Sequence, residues 1–463
     1  MNNKRVLAAA MITSFMTTFM SSSLNLSIPA LESYFGISAV LVSWIVSAYT
    51  ITIAAASLPM GKVADITDRR RIFITGITGF GLCSLACIFA SHIGVLIALR
   101  ALAGCCGAMI FATNNAILIS TYPSGMRGRV LGYSVAATYT GLTAGPVIGG
   151  ILNSAFGWRS VFAVSAAVAA LALAAAVHAP SGSTADTGSI SDNKTHGFDT
   201  TGAVLYVTAI AASLYGMTNM DKGPGSALIL IFGIATLVMF IWHENRYPDP
   251  VMKVSMFTSS RTFTFSNLAA LLNYAATFAI SYTISIYLQV IKGMPSGKAG
   301  ILLVVMPGMQ ALFSPLMGTL SDRIRPSVLA STGMGICSFT LFLFSRINTD
   351  TPVVYVIFAL CLTGLGFALF SSPNTNAILG CVSPADYGVA NSIVATMRTY
   401  GQSLAMAILS IITSVTLGKG SLGTSPHSDI IRMMDTAFIV FAIMCIAGLF
   451  FSLARDKRKI SEA

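Results

Sequence analysis

The chain has 463 residues, of which 55% are hydrophobic and only 9% are charged, and its formal net charge at pH 7 is +11. A soluble domain carries roughly 25% charged residues, so this composition excludes a water-soluble globular protein and predicts an all-α membrane protein. The positive charge does not indicate a nucleic-acid partner, because its distribution along the chain follows the membrane topology.

Apolar segments of about 20 residues, each long enough to cross a bilayer as a helix, recur along the whole chain. The fourteen predicted spans cover residues 6–30, 39–60, 72–91, 94–120, 128–154, 158–178, 200–220, 225–243, 262–288, 298–318, 328–345, 353–378, 388–415 and 433–454. Between the sixth and seventh spans, residues 179–199 are rich in Ser, Gly, Asp and Thr. This composition predicts a flexible cytoplasmic linker.

Lysine and arginine are distributed unequally between the two sides of the predicted membrane. With the N-terminus in the cytoplasm, 18 of the 27 basic residues fall on the inner side, and only Arg100 and Arg398 fall inside spans. Inner loops of membrane proteins carry such an excess. The pattern therefore predicts a multi-pass protein of the cell membrane with both termini in the cytoplasm.

A short charged turn occurs twice in the chain. The sequence GKVADITDRRR (61–71) joins the second and third spans, and GTLSDRIR (318–325) joins the tenth and eleventh. The fourth and twelfth spans share a second similarity, between NNAILIS (114–120) and NTNAILG (374–380). Two related six-helix bundles would produce such a repeat, and that architecture is typical of alternating-access transporters.

The repeat divides the chain into four predicted regions. These are an N-terminal six-helix bundle (1–178), the linker (179–199), an inserted helix pair with its inner loop (200–261) and a C-terminal six-helix bundle (262–463).

Three stretches carry a resemblance to a known family. WIVSAYTITIAAASLPMGKVADITDRRR (44–71), RALAGCCGA (100–108) and GLTAGPVIGG (141–150) resemble the inner-loop, fourth-span and fifth-span motifs of the major facilitator superfamily. The match is to its fourteen-span branch of drug:proton antiporters. The resemblance implies the major facilitator fold, with fourteen helices as two six-helix bundles plus two inserted helices. It also implies a secondary transporter that exports small hydrophobic drug-like or metabolic compounds, in exchange for protons.

The repeated turn has residues suited to a contact between helix ends. Glycine permits close backbone approach, and aspartate accepts hydrogen bonds from arginine or from a facing helix N-terminus. The resemblance implies a conformational latch that holds the cytoplasmic side closed. Its predicted members are Gly61, Asp65, Arg69, Arg70, Gly318, Asp322 and Arg323.

The fifth span contains the antiporter motif. Gly141, Gly145 and Gly149 are four residues apart and share one helical face, which allows another helix to pack closely. Pro146 removes a backbone hydrogen bond and favours a kink, and Gly150 completes the motif. The resemblance implies that this contact favours export over import.

Polar and aromatic residues within the spans predict the substrate site, because amides are costly in lipid and are expected to line a cavity near the midplane. The candidates are Asn25, Phe111, Asn114, Asn115, Tyr274, Phe278, Tyr282, Gln310, Asn374, Asn376, Arg398 and Gln402. A second intramembrane arginine, Arg100, is predicted to take part in coupling, since a charge inside a span is costly and usually functional.

No acid or histidine lies clearly at the middle of a span. The family commonly has an aspartate five residues before an asparagine in the first span, and counted back from Asn25 that position is Met20. Protons could instead couple through a peripheral acid, for which the candidates are Glu32, Asp221 and Asp435.

Two further transport mechanisms stay open. Two intramembrane arginines without an opposing acid favour anionic or neutral substrates. Alternatively, the protein is an uncoupled facilitator, and a non-transporting membrane receptor is a more remote alternative.

The sequence does not indicate an enzyme. It contains no Ser/His/Asp set and no phosphate-binding GxxxxGK[ST], and its eight cysteines form no CxxC or Cys/His ligand set. No cofactor, metal site or catalytic residue is therefore predicted. The expected partners are a small-molecule substrate and the lipid bilayer, with protons as a candidate, and the protein is expected to be a monomer.

Overall fold

The computed structural model describes residues 3–36, 39–178, 198–220, 223–417 and 426–455. These residues form α-helices joined by short turns. The helices are α1 (Asn3–Ser23), α2 (Ile28–Phe35), α3 (Ala39–Ile66), α4 (Arg69–Ile88), α5 (Ile93–Thr121), α6 (Arg127–Phe156), α7 (Arg159–Val177), α8 (Thr200–Thr218), α9 (Pro224–Glu244), α10 (Ser255–Ser259), α11 (Arg261–Ile286), α12 (Ser296–Leu303), α13 (Val305–Ser321), α14 (Pro326–Phe344), α15 (Val353–Gly380), α16 (Tyr387–Leu417) and α17 (His427–Ala454).

The helices correspond to the predicted spans. Helices α12 and α13 together form the tenth span, with a break at Val304, while α2 and α10 are short additional helices. The first span is shorter than predicted, because α1 ends at Ser23 and a 3₁₀ turn follows at Leu24–Ser27.

Within the described ranges, thirteen helical segments are long and apolar enough to cross a membrane. The thirteenth predicted span, 388–415, is α16, which is a continuous helix of 31 residues but falls outside that set. This helix includes Asn391, Arg398 and Gln402. The protein is therefore an all-α, multi-pass membrane protein.

By their contacts, the helices divide into two compact units. The first unit comprises residues 1–211, 234–254 and 382–396. The second comprises residues 212–233, 255–381 and 397–463. The inserted pair α8/α9 and helix α16 thus each contribute residues to both units.

The same packing arrangement occurs inside each unit. In the first, α5 packs against α3 and α4, and α7 packs against α4 and α1. In the second, α15 packs against α13 and α14, and α17 packs against α14 and α11. Helices separated by the same offset along the chain therefore make equivalent contacts, and the repeat predicted from the two charged turns extends to the packing.

Aromatic side chains fill the core of each unit. In the first unit the rings of Tyr49 and Phe80 are 6.3 Å apart, and both side chains are buried. In the second unit Phe344 stacks on Phe438 at 5.4 Å. These cores hold the helix ends that carry the candidate site in fixed positions.

Candidate functional site

The inner end of α3 approaches the first turn of α16 at backbone distance. A Cβ atom at Gly61 would lie 2.7 Å from the carbonyl oxygen of Gly388, and one at Gly388 would lie 2.7 Å from the carbonyl oxygen of Gly61. Real Cβ atoms do not occupy such positions, so the contact requires glycine on both helices. One turn after Gly388 on α16 and one turn before Gly61 on α3, the two helices are also bonded. There Ser392 Oγ donates to the carbonyl oxygen of Ser57 at 2.7 Å.

The carboxylate of Asp65 binds the N-terminus of α16. Its side chain is only 4% exposed. The backbone N–H groups of Gly388 and Val389 donate to its Oδ1 and Oδ2 at 3.0 and 2.9 Å. Hydrogen bonds to charged groups contribute about 1.5–3 kcal/mol each, and the positive end of the helix dipole adds to them. Asp65 therefore caps a helix that lies more than 300 residues further along the chain.

Arg69 completes this contact from the start of α4. Its Nε and Nη2 atoms donate to Asp65 Oδ1 at 2.8 and 2.7 Å, and Nη2 also donates to the carbonyl oxygen of Pro384. Its guanidinium lies 5.7 Å from the ring centre of Tyr387. One arginine thus connects the acid on α3 to the turn that precedes α16.

Arg70 has a different role from Arg69. Its Nη2 atom donates to the carbonyl oxygen of Val177 at 3.0 Å, at the end of α7. Its backbone N–H donates to Asp68, which caps the N-terminus of α4. Among the predicted latch residues, Arg70 therefore holds the end of α7, whereas Arg69 reaches α16.

The second copy of the turn lies in the second unit. Gly318 is buried in α13, and Asp322 is the half-buried residue that ends this helix. Arg323, which follows it, is exposed. Both copies contain the acid, but the first arginine follows it by four residues in the first copy, as Arg69, and directly in the second, as the exposed Arg323.

The three glycines of the antiporter motif face α1. A Cβ at Gly149 would lie 2.7 Å from the carbonyl oxygen of Ser23, and Gly141 and Gly145 are equally close to residues of α1. Thr18 Oγ1 donates across the same seam to the carbonyl oxygen of Thr138 at 2.9 Å.

The other two motif residues lie off this glycine face. Pro146 lies within the continuous helix α6, and Gly150 is half-buried.

Arg100 is fully buried between α3 and α5. Its Nε donates to the carbonyl oxygen of Ile45 at 3.0 Å, and its guanidinium stacks 4.2 Å from the ring centre of Tyr49. Neither Nη1 nor Nη2 has a hydrogen-bond partner among the described residues. The guanidinium is therefore contacted by one carbonyl oxygen and one aromatic ring.

The asparagines of the fourth span bind neighbouring helices of the first unit. Asn114 Nδ2 donates to Ser14 Oγ at 2.7 Å. Asn115 Nδ2 donates to Asn391 Oδ1 at 2.9 Å, and Asn391 in turn donates to the carbonyl oxygen of Phe111. These substrate-site candidates therefore connect α5 to α1 and to the first part of α16.

Several candidates in the second unit are also engaged with neighbouring helices. Asn374 Nδ2 donates to the carbonyl oxygen of Ser266 at 3.1 Å, and Asn376 Nδ2 donates to Ser321 Oγ at 3.3 Å. Tyr274 is buried, with its ring 5.5 Å from that of Phe367.

The remaining candidates of the second unit differ in exposure. Gln310 is 1% exposed, and its Oε1 has no hydrogen-bond partner in the described ranges. Phe278 and Tyr282 are exposed on α11, whereas Arg398 and Gln402 are half-buried on α16.

The three acids predicted to couple protons belong to different segments of the chain. Glu32 is half-buried in α2. Asp435 is half-buried in α17 and lines a cavity of about 410 Å³ together with Arg346 and Arg432. Asp221 and the side chain of Asn25 lie outside the described residues.

Sequence reasoning did not identify the partners of the predicted residues. Gly388 and Ser392 were part of an apolar span, and Arg455 was one of several basic residues near the C-terminus. In the structure Arg455 is 4% exposed and donates to Ser266 Oγ and Asn374 Oδ1 at 2.7 and 2.8 Å. The available signal was the small or polar residue type at each position within an apolar segment.

Comparison with known proteins gives consistent matches over most of the chain. A family model described as Major Facilitator Superfamily matches residues 10–248 and 267–463. The riboflavin transporter RibZ of Clostridioides difficile (strain 630) is 27% identical over 451 residues, which cover 96% of each chain. The multidrug resistance protein Stp of Mycobacterium tuberculosis is 26% identical, over 88% of this chain and 74% of Stp.

A solved structure shares the fold at low sequence identity. The proton:xylose symporter XylE superposes with a TM-score of 0.70 over 98% of this chain and 95% of that chain, at 12% identity.

Proposed function

The chain belongs to the Major Facilitator Superfamily, and on that premise we propose that it exports small, mostly hydrophobic organic molecules from the cell by alternating access. The family makes it a transporter and not an enzyme. Similarity to a multidrug resistance protein over 88% of the chain supports drug-like substrates.

The close contact between α6 and α1 is the observation that most supports the proposed direction of transport. Gly141, Gly145 and Gly149 are placed so that backbone meets backbone along three consecutive turns. Such a seam is rigid, because any side chain larger than hydrogen would separate the helices. In fourteen-span antiporters the same motif occurs in the same span, and this supports export over import.

The contact of Asp65 and Arg69 with α16 supports the proposed latch. A buried carboxylate bound to two backbone N–H groups and one arginine has little freedom to move. Breaking it exposes a charge and two helix donors at once. The latch therefore stabilises one conformation, and transport requires that the contact opens and closes in each cycle.

Exchange for protons is the proposed source of energy. Arg100 has two buried donors without partners, which suits a group that alternates between partners during the cycle. Glu32, Asp221 and Asp435 are the acids proposed to exchange protons with water. Both termini are proposed to lie in the cytoplasm, and the working unit is proposed to be a monomer.

A second candidate substrate class is favoured by the similarity to RibZ, which covers 96% of both chains. A flavin is a planar heterocycle with polar edges, and such a molecule suits the asparagine and glutamine side chains among the candidates. Arg100 and Arg398 lie in spans without an opposing midmembrane acid, which favours neutral or anionic solutes over cations. Transport of such solutes without proton coupling is the alternative function.

Everted membrane vesicles provide the test. Uptake of riboflavin, of the permanent cation ethidium and of an anionic dye is measured with and without an imposed pH gradient. Gradient-driven uptake that an uncoupler abolishes supports antiport, and Arg100→Ala is expected to lose it while keeping folded protein in the membrane. Uptake that ignores the gradient removes proton coupling and leaves the facilitator.

Two outcomes would contradict the substrate assignment. Strong uptake of ethidium would contradict the electrostatic preference for neutral or anionic solutes. Binding of riboflavin or the dyes without any flux would favour a receptor.

A further inference from the structure

Two buried carboxylates meet at one end of the inserted helix pair. Asp199 immediately precedes α8, and Glu244 is the last residue of α9, so an antiparallel pair brings them to the same end. The side chain of Asp199 is 1% exposed and Glu244 is 3% exposed. Acidic residues are almost never this buried without a compensating partner.

Asp199 has a partner for each oxygen. Its Oδ1 accepts from the backbone N–H of Gly202 at 2.8 Å, which caps the N-terminus of α8. Its Oδ2 lies 2.9 Å from Nε2 of His243, whose side chain is 22% exposed. The carboxylate is therefore stabilised by a helix N-terminus and an imidazole.

Glu244 has a partner for only one oxygen. Its Oε2 accepts from the backbone N–H of Met252 at 2.8 Å. Its Oε1 is buried and has no hydrogen-bond partner among the described residues. A Cβ at Gly202 would collide with both Glu244 Oε1 and Asp199 Oδ2. Glu244 Oε1 and Asp199 Oδ2 therefore both lie beside Gly202, where only a glycine leaves room for them.

We propose that Asp199 and Glu244 form a proton-binding site, in which a proton on Glu244 Oε1 is donated in a hydrogen bond to Asp199 Oδ2. Two carboxylates at such proximity are stabilised when they share one proton, because both cannot carry charge without strong repulsion. The proton would give the buried Oε1 the bond that it lacks.

Two other groups near the carboxylates are a histidine and a lysine, and neither is hydrogen-bonded to Glu244 Oε1. His243 is bound to Asp199, and Lys62 on α3 acts on Glu244 through its charge. No group of three or more His, Cys, Asp or Glu residues in the described part of the chain is arranged to hold a metal ion.

The site is connected to the start of α16 through consecutive residues. Met252 donates to Glu244, and the next residue, Lys253, donates to Asp386 at 3.1 and 3.2 Å. Asp386 belongs to the same 3₁₀ turn as Pro384, whose carbonyl oxygen accepts from Arg69. Loss of the proton would make the two carboxylates repel each other. Movement of Glu244 away from Asp199 would carry Met252 and Lys253 with it, because Met252 is bonded to Glu244, and the bond from Lys253 to the turn would weaken. Protonation of the pair therefore stabilises the contact between Asp65 and the N-terminus of α16.

Infrared pH-difference spectra of the full-length protein in nanodiscs test the site, with the proton as the probe. A carbonyl-stretch band of a buried protonated carboxyl group is expected as the pH falls. Glu244→Gln should remove this band, and Asp199→Asn should shift it because its hydrogen-bond acceptor changes. Asp350→Asn, which removes an exposed carboxylate, should leave it unchanged. A spectrum without such a band, or a band that persists in Glu244→Gln, overturns the proposal.

Hydrogen exchange tests the connection to α16. After correction for the intrinsic pH dependence, the amides of Gly388 and Val389 in the wild type are expected to lose protection as the pH rises. The exposed pair Lys253–Asp386 transmits the effect, so a change of about two- to fivefold is expected. Glu244→Gln should keep the protection constant over the same range. An unchanged pH dependence in Glu244→Gln contradicts the connection. Neither readout uses a transported substrate, so the proton site and the proposed function can fail separately.

Discussion

The two copies of the charged turn have similar sequences and different surroundings. In the first copy Asp65 is almost fully buried, and Arg69 binds both Asp65 and the turn before α16. In the second copy Asp322 is half-buried and Arg323 is exposed. Similar residue types therefore differ in exposure between the two copies. In the first copy the facing helix end offers two backbone N–H groups and a glycine.

The largest effect is expected from the glycine contact that only the first copy is shown to make with α16. In Gly61→Ala the new methyl group would lie 2.9 Å from the carbonyl carbon of Gly388, and neither backbone can yield. We expect a loss of about 1–3 kcal/mol in the free energy of unfolding and a loss of most transport. Thermal unfolding of the purified protein and flux at matched expression measure the two effects.

Gly308→Ala is the matched control for this substitution. A Cβ at Gly308 meets nothing within 4 Å, and residue 308 is likewise inside a helix. Alanine there should be neutral or slightly stabilising. If both variants behave alike, the close approach of α3 and α16 does not limit function.

The next effect concerns the acid of each copy. Asp65→Asn keeps the shape but removes the charge that binds Gly388, Val389 and Arg69. Loss of charge-assisted hydrogen bonds costs about 1.5–3 kcal/mol, and flux should fall by tenfold or more. Asp322→Asn should impair transport less. Equal loss of flux in the two variants would remove the distinction between the copies.

A smaller effect is expected from the arginines. Arg69→Ala deletes the bonds to Asp65 and Pro384, and it should slow transport severalfold. Arg323→Ala changes an exposed side chain, for which effects within about 0.5 kcal/mol are usual. Flux assays on the two variants, with membrane expression as the reference, compare them directly. A greater loss in Arg323→Ala would show that the second turn carries the tighter contact.

The smallest effect is expected from the exposed ion pair Lys253–Asp386, because such pairs contribute about 0.2–1 kcal/mol. Lys253→Asp alone should weaken protection of the first turn of α16 in hydrogen exchange. The double variant Lys253→Asp/Asp386→Lys should restore it, and high salt should reduce the difference. Failure of the exchange to restore protection would show that the pair does not act through its charges.

The sequence predicted the helices and the location of the first turn for physical reasons. Spans follow from apolar length, and the turn is visible because its charges interrupt an apolar chain. The partners of these charges cannot be predicted from the sequence, because they are backbone groups. Arg69 binds the carbonyl oxygen of Pro384, and Asp65 binds two backbone N–H groups, so no side-chain pattern in SPADYGVANS (383–392) indicates a partner.

In the second unit, too, the partners of a charged residue could not be predicted from the sequence. Arg455 precedes Lys457, Arg458 and Lys459 in the sequence, and the basic cluster predicts a solvated inner loop. In the structure Arg455 is buried and bonded to Ser266 and Asn374, which lie 189 and 81 residues away. Composition predicts a solvent-exposed side chain for every basic residue near a span end. Only the folded structure shows that Arg455 is buried.

Helix α16 has a consequence for how the protein is made. It is the thirteenth predicted span, and it carries Arg398 near its middle. Its polar side chains find partners on helices synthesised long before it, as in the bonds from Asn115 to Asn391 and between Tyr206 and Thr396. An arginine in the middle of a span raises the free-energy cost of placing that span in lipid alone. We therefore expect insertion of α16 during biosynthesis to be favoured by the helices of the first unit that are already in the bilayer.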